Sequence, residues 1–74
     1  MEKLIRVIYT PANEVIGAIR TNRSITVEEA LWCLGYDVNS EEDCKAAYYN
    51  YFLPAYKDDN GNYSIDTENI SLQY

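Results

Sequence analysis

The sequence predicts an α+β fold, with two or three helices, including an antiparallel or angled αα pair, packed on a small antiparallel sheet. Three observations carry this reading: a β-branched and aromatic run at residues 4–9, a capping box at 26–29 ahead of two helical patterns, and a strong turn signal at 58–61 between short alternating segments. At 74 residues the chain has the length of one domain, 1–74. A chain this short buries only roughly 60% of the surface its unfolded form exposes, so the core must be modest.

Leu4-Ile5-Arg6-Val7-Ile8-Tyr9 reads as a strand, stopped at Thr10-Pro11. Residues 11–20 are ambiguous. Thr10 can cap a helix with Pro11 at its first position and Ala12, Val15, Ile16 and Ile19 on one face, a complete helical spacing. The alternative is a turn at 11–13 leading into a second strand, which would place Val15 and Ile16 on opposite faces and Gly17 inside the strand. The helix is the favoured expectation.

Thr26-Val27-Glu28-Glu29 supplies a capping hydroxyl and, three residues on, a carboxylate, which together satisfy two otherwise unpaired amides. The helix begun there should bury Val27, Ala30, Leu31 and Leu34 and end at Gly35. After a short polar connection, Asn39 or Ser40 caps a second helix. Its apolar stripe is Cys44, Ala47, Tyr48, Tyr51 and Phe52, and Pro54 closes it. Both cysteines, Cys33 and Cys44, are expected near inward stripes as reduced thiols. Asp58-Asp59-Asn60-Gly61 then joins Ala55-Tyr56-Lys57 to Tyr63-Ser64-Ile65 as a hairpin, and the alternating residues 70–74 add a third strand to that meander, which the amino-terminal strand can join.

Composition excludes more than it identifies. With no histidine, the chain lacks the commonest metal ligand and the usual general base at neutral pH. The three glycines are isolated, so there is no phosphate loop, and two cysteines outside a Cys-x-x-Cys spacing make neither a disulfide framework nor a zinc pair. Asp58-x-Asn60-x-Asn62 begins like a calcium loop but has Tyr63 at the sixth position and Asn69 at the twelfth, where glycine and glutamate belong. Glu28/Glu29 and the acids at 41–43 are sequence neighbours that diverge around a helix and cannot share one reacting group. No enzyme and no cofactor are expected.

The formal net charge is −6, distributed unevenly: residues 1–23 carry +2 and residues 24–74 carry −8. Direct nucleic-acid binding is therefore disfavoured, and a second helix that opens with three acids would be repelled from a DNA groove. No apolar stretch has the length of a membrane span, and the amino end does not resemble a signal peptide; a cytoplasmic protein is expected. Eight tyrosines need a use. Tyr48 and Tyr51 are expected in the core and Tyr9 and Tyr63 in the sheet, which leaves Tyr36, Tyr49, Tyr56 and Tyr74 for a surface, where tyrosine is enriched at interfaces.

The expected function is a small acidic, non-catalytic protein-protein interaction or regulatory module, its partner bearing a basic surface, with self-association also open to it. The expected contact residues are Glu41, Glu42, Asp43, Tyr49, Asp58 and Asp59. The alternative is a nucleic-acid mimic whose carboxylates imitate phosphates in the basic channel of a DNA- or RNA-handling enzyme. In size and charge the chain resembles the small phage and mobile-element inhibitors of restriction or CRISPR nucleases, a resemblance of class that rests on no specific motif. A small-ligand binder is the third expectation.

Overall fold

The computed structural model describes residues 2–74. Strand β1 (Lys3–Tyr9) pairs antiparallel with β2 (Glu14–Thr21), helices α1 (Val27–Cys33) and α2 (Glu41–Tyr49) follow, then the hairpin β3 (Ala55–Lys57) and β4 (Tyr63–Ile65), a short 3₁₀ turn (Thr67–Asn69) and β5 (Ile70–Gln73). The α+β class is as the sequence predicts.

The arrangement of strands differs from expectation in two ways. First, residues 14–21 form a strand and not a helix. Asn13 turns the chain with φ +49°, a left-handed value that asparagine tolerates, and its amide donates to the Thr10 carbonyl at 3.1 Å. The pairing shifts register between Val7↔Gly17 and Ile8↔Val15, so Ile16 is accommodated as a bulge. That bulge resolves the conflict between Val15 and Ile16. Gly17 also has a reason to sit in mid-strand, because a Cβ there would lie 2.6 Å from Leu34 Cδ1 where the end of α1 meets the sheet. Second, β5 joins β1, giving the sheet order β2-β1-β5, while β3-β4 form a separate two-stranded sheet. A Thr10 amide to Asn69 carbonyl bond of 2.9 Å fixes the return of β5 beside β1.

Both helix starts follow the sequence. The Glu29 amide donates to Thr26 Oγ1 at 3.1 Å and Glu29 Oε1 accepts from the Thr26 amide at 3.3 Å, while the Asp43 amide donates to Ser40 Oγ at 3.3 Å. At the end of α1, Gly35 adopts φ +99°, and the Tyr36 and Gly35 amides donate to the Leu31 and Trp32 carbonyls, both at 2.9 Å.

One core unites the two sheets: Ile5 and Val7 from β1, Ile25, Ala30 and Leu31 around α1, Cys44 and Ala47 from α2, Ile65 from β4 and Ile70 from β5. The helices pack chiefly on strands, α1 on β5 and α2 on the β3-β4 hairpin. Three expected core positions are corrected. Tyr51 is on the surface because α2 ends early, Tyr48 is 38% exposed with its ring against Tyr49 and Tyr63 at the edge of α2, and Cys33 is exposed on α1 while Cys44 is buried. Among the described residues no helix is long and apolar enough to cross a membrane.

Candidate functional site

The second helix ends by the same hydrogen-bonding pattern as the first. Phe52 and Tyr51 donate their amides to the carbonyls of Ala47 and Tyr48 at 2.9 and 3.1 Å, which returns Phe52 onto Tyr36 with ring centroids 4.6 Å apart. In α1 the left-handed position of this motif is Gly35; in α2 it is Tyr51, at φ +61°. An L-residue with a side chain is strained there by roughly 1 to 2 kcal/mol. The ring gains no burial in return, since Tyr51 is 93% exposed.

Tyr51 stands beside an open groove that Tyr48, Tyr49, Phe52, Leu53 and Ala55 also line. Tyr48 and Tyr49 pack edge to face at 5.5 Å, and Tyr56 and Leu53 are exposed nearby in sequence. Behind this face the Tyr49 and Tyr63 hydroxyls are 3.1 Å apart and share a hydrogen bond. That bond holds the Tyr63 phenol above its ordinary pKa, with burial adding to the effect. Lys45 and Lys57 place their ammonium groups 5.8 and 5.7 Å from the Tyr63 ring centroid. These are the only two cations of residues 24–74, and neither forms an ion pair among the described residues.

The six expected contact residues divide into two groups. Glu41, Glu42 and Asp59 are exposed with no hydrogen-bond partner among the described residues, and Tyr49 is 60% exposed in the aromatic face. Asp43 and Asp58, by contrast, are engaged within the chain. Asp43 Oδ2 accepts from the Asp37 amide at 2.8 Å and so ties the α1-α2 connection to the first turn of α2. Asp58 Oδ1 accepts from the Asn60 and Asn62 amides, both at 2.9 Å, and closes the hairpin loop.

The same holds for Asp37, which accepts from the Asn39 amide, and for Asp66, which accepts from the Tyr9 hydroxyl and the Asn69 side-chain amide. Glu29 is paired with Arg23 at 2.7 Å, and this guanidinium, with the Thr26 amide, holds its carboxyl below the ordinary value. Half of the ten acids in residues 24–74 therefore serve loops and caps.

Other tyrosines also take internal roles. Tyr36 packs on Phe52, and the Tyr74 hydroxyl sits 3.4 and 3.3 Å from the backbone nitrogen and oxygen of Ile25, clasping the carboxyl end to the loop before α1. Three exposed apolar residues were missed from the sequence: Tyr51 and Leu53, and Trp32, which is 66% exposed on α1. The signal available for Tyr51 was Pro54, since the residue before a proline avoids helical backbone and the helix must end upstream of it.

No protein-family model, curated protein or solved structure matches this chain. The fold and face define a class only: a small acidic α+β chain presenting a tyrosine-rich surface.

Proposed function

We propose that this chain is a non-catalytic interaction module that docks a protein partner on the aromatic face at the end of α2, formed by Tyr48, Tyr49, Tyr51 and Leu53. One observation carries the reading: Tyr51 occupies a left-handed position that glycine fills at α1, while its ring stays 93% exposed. Strain that folding stability does not explain points to use of the side chain elsewhere. Large, stiff aromatic rings are the residue type that most often dominates binding energy at interfaces. Glu41, Glu42 and Asp59 supply unengaged charge that steers a basic partner toward the molecule.

The test is capture of partners from a native lysate by the wild type and by Tyr51→Gly side by side. A partner specific to this face is retained by the wild type and lost by the variant, which stays folded. Purified, that partner should associate more slowly with the Glu41→Gln, Glu42→Gln, Asp59→Asn variant, with a flatter salt dependence and unchanged aromatic contacts. Equal retention by Tyr51→Gly rejects the face. A partner that nucleic acid displaces, and that depends on the acids while ignoring Tyr51, would favour the mimic reading instead.

A further inference from the structure

Trp32, the only tryptophan, lines a separate groove with Arg23, Glu28, Glu29 and Asp37, and an adjoining hollow is lined by Trp32, Asp37 and Asp43. Trp32 follows Glu28 by four positions, which sets them side by side on α1. Arg23 lines the groove but is paired with Glu29 at 2.7 Å, so Glu28, Asp37 and Asp43, which line the hollows beside Trp32, have no ion-pair partner among the described residues. The other two positive groups of the acidic body are held over Tyr63. Asp37 and Asp43 each accept one backbone amide and keep lone pairs free, while Glu28 has no partner among the described residues.

We infer that Trp32 and this ring of carboxylates form a seat for an arginine side chain of a protein partner. Charge complementarity selects a cation, and the indole face is the best aromatic surface for one. The planar guanidinium is preferred over an ammonium because it stacks on the ring while its edge still donates to carboxylates. The inference rests on the reading of a basic protein partner, but its site shares no residue with the tyrosine face.

The probe is N-acetyl-arginine amide, titrated while Trp32 emission is excited at the red edge of the indole band, where the tyrosines are silent. N-acetyl-citrulline amide serves as the uncharged isostere. A saturable change with arginine, about tenfold weaker with citrulline and several-fold weaker in Glu28→Gln, is expected, since exposed cation–π and ion-pair contacts together give roughly that factor. Backbone amide shifts of Glu28 should respond to arginine in the wild type and not in Trp32→Ala. Equal responses to arginine and citrulline, or an unaltered Glu28→Gln titration, would overturn the seat. Lysine amide binding as tightly as arginine would overturn the choice of guanidinium. None of these outcomes bears on Tyr51, so failure here leaves the aromatic-face reading to its own test.

Discussion

Replacing Tyr51 with glycine should make the protein more stable, an unusual expectation for the removal of a whole aromatic side chain. The side chain is 93% exposed, so truncation forfeits almost no buried area. Backbone at φ +61° strains a residue with a Cβ by roughly 1 to 2 kcal/mol, and glycine is free of that strain. Glycine also gives the unfolded chain more freedom, which returns about 0.4 to 1 kcal/mol in the opposite direction. The balance runs from about zero to about 1.6 kcal/mol of net stabilisation, centred near 0.8 kcal/mol, which is a rise in Tm of about 3 to 6 °C for a domain of this size. Urea and thermal unfolding of the two proteins measure it, with the urea slope unchanged because the same surface is exposed on unfolding. A variant less stable than the wild type by 1 kcal/mol or more would show that the ring is packed on the fold, and the reading of its strain as functional would fail.

Three further outcomes are expected. Leu31→Ala removes a fully buried side chain and should lower stability by about 2 to 5 kcal/mol in denaturant unfolding; a loss below about 1 kcal/mol would mean the site collapses around the cavity. Cys33 should react at once with an aromatic disulfide reagent and Cys44 only on unfolding, because burial, with Asp43, Asp37 and Glu41 adding repulsion, pushes the Cys44 thiol up. The neutral Tyr9 phenol donates to Asp66 at 3.0 Å, and this bond, with burial, raises its pKa above 10.0. The folded state thus holds that proton more tightly than the unfolded chain. Its contribution is complete below the ordinary tyrosine range and is lost as pH rises through the raised value, so Tyr9→Phe should flatten the alkaline end of the stability profile.

What the sequence made legible was local chemistry. The caps at Thr26 and Ser40, the glycine end of α1 and the hairpin at 58–62 each depend on residues within four positions of one another, and all four formed as expected. What it concealed was decided by distant partners. The helical spacing at 11–20 was genuine, but the segment pairs along β1 with a bulge at Ile16 and Gly17 leaves room for the Leu34 side chain, contacts across the fold that no local pattern records. In α2 the apolar period continued past the end of the helix, because the chain turned at Tyr51 and sent Phe52 to Tyr36. The acids looked like one charged face. Asp43 and Asp58 in fact bind backbone amides, as Asp and Asn do in turns, and this was readable in principle from their places beside loops.

A partner docked on the aromatic face covers the ring of Tyr51 and its neighbours, and hydroxyl-radical footprinting of the purified complex reads that cover residue by residue. Tyr48, Tyr49, Tyr51 and Leu53, all exposed in the free chain, should lose reactivity on binding, while exposed Tyr74, which lines neither of the hollows beside Tyr51, serves as the internal reference. Undiminished oxidation of Tyr51 and Leu53 in a saturated complex would contradict docking on this face.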